Sequence, residues 1–595
     1  MLTVEYQADL CVVGGGMAGV CCAIAAARHG SKVILMHERP MLGGNASSEN
    51  RMWVCGAQGK NNRETGIIEE IMLENLYRNP TKNFHIWDSI LLDFVKREPN
   101  ITLLLNTTCM DGETEEGSFS HGRSRKIRAI KGYQMTTQRF IRVEASYFAD
   151  CSGDSILAPI SNAEFDYGRE SKEEYGEDSH VLERDKMVMG MSCLIQGRQT
   201  DRSIPFIPSE FATKLSDADV ENRPMDIYNP AENFWYLELG GSDEGIEKAE
   251  ETKERLISLA LGTWDYIKNS KKYDADNWEL EFLGMLPAKR ESRRMRGEYV
   301  ISQRDISDNR VFEDTVAFGG WPLDDHYPAG YYHKGTPNTN INTPAPYCLP
   351  YRALYSANVE NLYFAGRNIS MTHTAMSSIR VMATCALLGQ AVGTAAAVAA
   401  KYGIAPHDVY LEHMEEVQTL LLNDDSFLPY RQRGISQSCL KANLSGADES
   451  IRSGEDRANR IYGTEDCGCA VKNGTTVEYR LPNPQKIGAI HIVFDSDLNR
   501  ETLPGHWCER THATRANVLL DSPQMHLPKT LCKSFALTAD TPEGEVELLS
   551  VGNNLKRAYH VEVPQGMTVS ALKLRMLSNW GDSCETKLVS FDFNG

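Results

Sequence analysis

The stretch Ala8-Asp9-Leu10-Cys11-Val12-Val13-Gly14-Gly15-Gly16-Met17-Ala18-Gly19 decides how this chain folds. Its first six residues are an apolar run of the kind that fills a parallel strand buried on both faces. A glycine turn follows. A helix then runs through residues 23–29 and stops at Gly30, a C-terminal cap. Residues 32–37 form a second strand. Strand, helix and strand make a βαβ unit, which requires a parallel sheet and a right-handed crossover.

Each glycine of the turn has its own task. Gly14 permits the tight bend, Gly16 lets the backbone approach a pyrophosphate, and Gly19 lets helix and strand touch. Met17 and Ala18 open the helix, whose first N–H groups and partial positive charge suit phosphate oxygens. Glu38 ends the second strand, placed for its carboxylate to accept hydrogen bonds from ribose hydroxyls. The combination predicts dinucleotide binding. Gly43-Gly44 follows closely, as expected of a chain running alongside a flavin. A second strand and glycine turn, Asn361-Leu362-Tyr363-Phe364-Ala365-Gly366-Arg367-Asn368, leads into a long helix of small residues. Such a closing element suits a ribityl chain and pyrimidine edge, and so predicts FAD rather than a nicotinamide cofactor.

Outward from these segments, residues 64–77 and 88–98 read as amphipathic helices and 101–106 as a strand. Residues 126–136 and 140–149 alternate like an antiparallel hairpin. Between about 165 and 345 the βα rhythm disappears, and Tyr, Trp, Met, Glu and Asp dominate. Beyond 455 come short alternating runs at 488–494, 517–520 and 571–576, the signature of a β-sandwich. The expected fold is therefore α/β. A Rossmann-like FAD-binding domain in two parts (1–165 and 346–454) is interrupted by an inserted α+β substrate domain (166–345). A C-terminal β-sandwich (455–595) follows. The uncharged stretch 381–400 has the length of a membrane span. Its Ala and Gly content and Gln390 point instead to a buried helix under the cofactor.

Composition narrows the partners. A formal net charge of −19 over 595 residues argues against a nucleic-acid surface. Fifteen irregularly spaced cysteines, with Cys21 and Cys22 adjacent in a helix, read as reduced thiols. No spacing suits a metal site. The expected location is cytoplasmic, with no membrane partner. A small-molecule substrate and a separate electron donor or acceptor are the expected partners, and the chain could also assemble as a homo-oligomer.

These motifs resemble the FAD-dependent oxidoreductase family of the glutathione-reductase-type flavoprotein superfamily, a group found widely in bacteria. The resemblance spans about residues 8–430. It is carried by the opening glycines, by Gly43-Gly44-Asn45-Ala46-Ser47-Ser48-Glu49-x-Arg51 and by Lys289-Arg290-Glu291-Ser292-Arg293-Arg294. Gly319-Gly320-Trp321-Pro322, Pro350-Tyr351-Arg352, Gly366-Arg367-Asn368-Ile369-Ser370-x-Thr372-His373 and Arg380-Val381-Met382 extend it. It implies non-covalent FAD held by Gly14, Gly16, Met17, Ala18, Gly19, Glu38, Arg39, Gly43, Gly44, Asn45, Arg51, Asp154, Gly366 and Arg367. Ser378, Val381 and Met382 are implied contacts from the segment 378–382.

Catalysis beside a flavin needs an acid or a base. His373, on the loop after Gly366, could take a hydroxyl proton while hydride leaves for flavin N5, or could simply bond the backbone of its loop. His326 follows Trp321-Pro322-x-Asp324-Asp325, and an Asp could orient and charge it, or it could be an ordinary exposed loop residue. His333 is a further candidate. Arg290, Arg293 and Arg294 could anchor a substrate carboxylate, or could form an ion-pair cluster with Glu291 and Glu298. The leading expectation is oxidation of a hydroxyl on a sugar-like or polyol molecule. One alternative is reduction of an activated C=C bond, with Arg290 or Arg293 as acid or clamp. Another is a non-catalytic flavin-bearing carbohydrate-binding protein, with His506, Trp507 and Trp580 as a ligand platform in the sandwich.

Overall fold

The computed structural model describes residues 2–178, 181–242 and 245–594. Its cofactor-side sheet has seven strands. β1 (Thr3–Val13) pairs in parallel with β2 (Val33–Met36), and β2 with β3 (Ile101–Leu104). The chain then makes an antiparallel meander of β4 (Thr107–Glu116), β5 (Arg125–Gln134) and β6 (Arg139–Asp150). β6 runs back parallel to β1 in register from Thr3↔Phe140 to Val13↔Asp150. Its first half, Arg139 to Glu144, also pairs with β5, and its last three residues pair with β7 (Leu362–Phe364). Burial follows this change of neighbour. Exposure alternates along the first half, and Tyr147, Phe148, Ala149 and Asp150 are all buried. A strand with one wet face thus becomes one covered on both faces.

Two helices cover the sheet behind the glycine turn. α1 (Met17–Arg28) has eleven of its twelve residues buried. α2 (Met382–Tyr402) is the long small-residue helix, and its most apolar window is 94% buried. Glycines explain its composition. A Cβ on Gly389 would meet the Ala18 carbonyl oxygen at 2.0 Å, and one on Gly393 the Cys22 oxygen at 2.2 Å. The backbones of α1 and α2 approach too closely for any side chain there, and the apolar run is the requirement of that contact.

Residues 166–345 carry an apolar cluster of their own, including Phe234, Tyr236, Leu256, Trp264 and Trp278. A small sheet crosses this region in the order Glu238–Leu239, Met191–Ser192, Ala288–Lys289. Its register puts Glu238 and Ala288 on either side of Ser192.

The chain divides into two compact units. The first comprises Met1–Gln58, Thr81–Val417 and Gly505–Pro523; the second comprises Gly59–Pro80, Gln418–Pro504 and Gln524–Gly595. The second holds an antiparallel five-stranded sheet and an antiparallel four-stranded sheet. Both contribute to one apolar cluster, with Tyr479, Phe535, Leu574 and Phe591 among its fully buried members. Its boundary is not the expected one at 455. The helix Ile67–Arg78, read with the first domain, sends Leu73 and Leu76 into that cluster. Residues 517–520, expected as a sandwich strand, belong to the first unit. There Val518 makes a single parallel bridge to Arg198.

Candidate functional site

A cavity of about 360 Å³ runs along the glycine turn. Gly14, Gly16, Met17, Ala18, Glu38, Arg39, Gly43, Gly44, Asn45, Asp154, Gly366 and Arg367 line it. The residues present fit FAD. Gly14 has φ +104°, and a Cβ there would meet the Cys151 carbonyl oxygen at 2.4 Å, so the bend demands glycine. A Cβ on Gly16 would meet no protein atom within 4 Å, so the backbone beside it faces open space. Gly16 caps α1 in extended conformation without a side-chain hydrogen bond, leaving the first-turn N–H groups for a phosphate. Glu38 is exposed at the end of β2, on the cavity. Gly19 does not line the cavity; a Cβ there would meet the Gly14 oxygen at 1.8 Å, so its role is helix–strand contact.

Asp154 anchors the far end. Lys289 and Arg367 bond its two oxygens at 2.6 and 2.7 Å. Burial would push this carboxyl up, but Arg367 and Lys289 outweigh it and hold it far below the usual carboxylate range. α2 starts beside the same place. Its cap, Val381, is extended and makes no side-chain bond, and Arg380, Met382 and Cys385 line the cavity. A helix N-terminus there carries partial positive charge, which would suit the pyrimidine edge of a bound flavin as it gains negative charge.

A second cavity, of about 350 Å³, shares Asn45, Lys289, Arg367, Arg380 and Met382 with the first. Its remaining wall is aromatic and polar, with Trp53, Trp235, Trp321, Trp507, Arg290, Asp324, His326, Asn338 and His512. The bridges Leu323↔Ile341 and His326↔Asn338 hold its loop. His326 Nδ1 lies 2.6 Å from Glu238 Oε2, and its Nε2 3.5 Å from Asp324 Oδ1. Arg290 pairs with the same Glu238 oxygen at 3.0 Å, and Arg380 with Asp324 at 3.1 Å. Trp321 Nε1 donates to Asp324 at 3.3 Å, and Asn338 donates to it as well. Burial raises both carboxyls, but Arg290 and His326 draw Glu238, and His326 and Arg380 draw Asp324, below the ordinary range. Both are carboxylates. Glu238 Oε1 finds no hydrogen-bond partner among the described residues.

Several expected residues lie elsewhere. His373 lines neither cavity. It is 4% exposed, with Nδ1 2.8 Å from Glu291 and Nε2 3.0 Å from Asp325. Burial would strip its proton, but the two carboxylates prevail and raise it to about 10. A side chain already protonated, with both nitrogens engaged, cannot accept a hydroxyl proton. Arg51 lines neither cavity either; its guanidinium sits 4.3 Å over the Phe282 ring and donates to Gln196. Ser378 is fully buried, bonding Tyr347 and the Trp321 carbonyl, so it supports the wall rather than the cofactor. Val381 lines the second cavity only. His333 stacks on Tyr327 at 3.7 Å. Arg294 is buried between Glu170 and Glu291, an ion-pair role, whereas Glu298 pairs with Arg123. Arg293 donates to the Asp154 carbonyl at 3.3 Å. Of the three arginines, Arg290 alone lines the second cavity.

Trp507 and Trp580 fall in different units, so they form no shared platform in one sandwich. The sequence reading missed Glu238, Trp53 and Trp235 altogether and named Arg380 only within the implied contact segment 378–382. Arg380 had a signal, since it opens the quoted Arg380-Val381-Met382 motif. Glu238 had none, because it meets His326 across 88 residues.

The curated glycerol-3-phosphate dehydrogenase of Mycobacterium leprae is 35% identical over 68 residues, 11% of this chain. The chain spans 12% of that relative's length. A geranylgeranyl bacteriochlorophyll reductase-like protein from Thermoplasma acidophilum aligns over 71% of this chain and 85% of its own. The identity is 12% and the TM-score 0.29. A family 32 carbohydrate-binding module from Streptococcus pneumoniae aligns over 26% of this chain and 94% of its own, at 10% identity and TM-score 0.18. The sequence profile of the FAD dependent oxidoreductases matches residues 9–421, which takes in both glycine turns, β7 and α2. The chain therefore belongs to the FAD-dependent oxidoreductase family and is a flavoenzyme built on a Rossmann-type fold.

Proposed function

We propose that this enzyme oxidises a hydroxyl of a sugar-like or polyol molecule in the second cavity, with His326 as the proton acceptor. Bound FAD supplies two-electron oxidation by accepting a hydride. The observation that carries the reading is His326 held by ionised Glu238 at the edge of a cavity that meets the cofactor cradle. In its neutral form, with Nδ1–H donated to Glu238, His326 presents Nε2 to the substrate hydroxyl. The proton then leaves the substrate oxygen for Nε2, beside the carboxylate of Asp324 that offsets the new charge. Arg290 and Arg380 hold the two carboxylates in place. The Trp and Asn side chains give the wall apolar faces and paired donors and acceptors, which suit a polyhydroxylated ring. Within the same reading, residues 166–345 are the substrate-facing insertion of a glutathione-reductase-type flavoprotein. The two antiparallel sheets of the second unit are a β-sandwich accessory domain, and the enzyme works in the cytoplasm with a separate electron partner.

His326→Gln tests this. The limiting rate of anaerobic flavin bleaching by sugars and polyols is expected to fall at least about 100-fold, with the visible spectrum of bound FAD retained. An unchanged rate removes His326 from the reaction, and failure of every sugar and polyol to bleach the wild type removes the reading.

One observation favours a second reading, reduction of an activated C=C bond. Arg290 lines the second cavity, where a guanidinium can clamp the carboxylate that activates such a bond. Reoxidation of dithionite-reduced enzyme by enoates would select it.

A further inference from the structure

The wall of the second cavity combines buried and exposed side chains. His326 and Asp324 are 4% and 8% exposed, and Trp507 is 50% exposed, a large apolar surface left open to a ligand. Trp507 is held firmly in spite of that exposure. It opens the helix Trp507–Thr511, whose cap is His506, and the Thr511 hydroxyl donates back to its carbonyl at 2.8 Å. Behind it the rings form a ladder. Trp507 meets His512 edge-on at 5.6 Å, and His512 stacks on Trp53 at 4.4 Å with an 18° tilt. Asn340, also exposed, lines the same cavity. A ligand that touches both has a reacting part beside His326 and a flat, partly hydroxylated part against Trp507 and Asn340.

We propose that the substrate is a glycoside of at least two rings, oxidised on the inner ring while the outer ring stacks on Trp507. This rests on the hydroxyl-oxidising reading of the site. The face of a pyranose offers C–H groups to an indole while its rim offers hydroxyls to amides such as Asn340. The ladder fixes the indole before binding, so little side-chain freedom is lost when a ring covers it.

Anaerobic flavin bleaching by the holoenzyme tests this with matched pairs. Methyl β-glucoside is compared with methyl β-cellobioside, methyl α-glucoside with methyl α-maltoside, and methyl β-galactoside with methyl β-lactoside. In at least one pair the two-ring member is expected to half-saturate at about tenfold lower concentration. Trp507→Ala should collapse that ratio towards one, and Trp507→Phe should restore part of it. The visible spectrum of each variant reports its folding and FAD content. Equal half-saturation within every pair, or a ratio that survives Trp507→Ala, overturns the inference while the hydroxyl reading stands. Failure of all six glycosides also overturns it. Mannitol and glycerol in the same assay then show whether the underlying reading falls too.

Discussion

Two basic side chains, Arg290 and His326, share the carboxylate of Glu238 at 3.0 and 2.6 Å. His373 lies between two carboxylates, 2.8 Å from Glu291 and 3.0 Å from Asp325, and Glu291 also pairs with Arg294. His326 keeps Nε2 3.5 Å from Asp324, as its proposed role of proton acceptor requires, whereas both nitrogens of His373 are hydrogen-bonded, which gives it a structural role. The second role has a pH signature. Glu291 and Asp325 keep the His373 ring protonated to about pH 10, against 6.5 for a free histidine. Its stabilising contribution is therefore complete below about pH 6.5 and is lost as pH rises towards 10. The urea midpoint of the wild type is expected to fall across that window. His373→Gln should start lower and fall less, because the residue that titrates is gone. Equal slopes for the two proteins would contradict the assignment.

At the scale of the element, the contact of α1 with α2 sets the cradle. Gly389 and Gly393 lie one turn apart on α2, facing Ala18 and Cys22 on α1. Ala18 also lines the cofactor cavity, so any change in helix spacing moves the phosphate end of the site. Gly393→Val is expected to destabilise the protein by about 1–3 kcal/mol, the usual range for overpacking, and to weaken FAD retention on gel filtration. Retained FAD with an unaltered melting temperature would show that the helices can separate freely. The glycines were legible as small residues in an uncharged run, and the reason for their smallness lies in a helix more than 360 residues earlier. The hairpin of β5 and β6 was legible too. The exchange of neighbours along β6 was not, because β7 comes from the far side of the insertion.

At the scale of the molecule, the chain passes between its two units several times. The second unit takes Leu73 and Leu76 into its core, and Arg500 there bonds both oxygens of Glu69 at 2.8 and 2.7 Å. Both side chains of that pair are 1% exposed, so removing either leaves a buried charge without its partner, at a cost of about 3–5 kcal/mol. A fragment of residues 455–595 lacks Glu69, Leu73 and Leu76. It is expected to show no cooperative unfolding transition by circular dichroism, whereas the full chain shows one. A sharp transition in the fragment would mean that the sheets suffice on their own. The same threading brings residues 505–523 into the first unit, where Trp507 and His512 line the second cavity. Read along the sequence, Trp507 sits amid sandwich strands and looks like their ligand platform.

The cradle was readable from the residues alone because its demands are local. A positive φ at Gly14, a close approach at Gly19, a bare helix N-terminus and an acid at Glu38 all follow within one βαβ unit. Which carboxylates surround His326 and His373, what Arg51 and Ser378 touch, and which cavity Trp507 lines were decided only by tertiary structure. Those properties depend on burial and on charges brought in from distant parts of the chain, and local spacing carries no record of either.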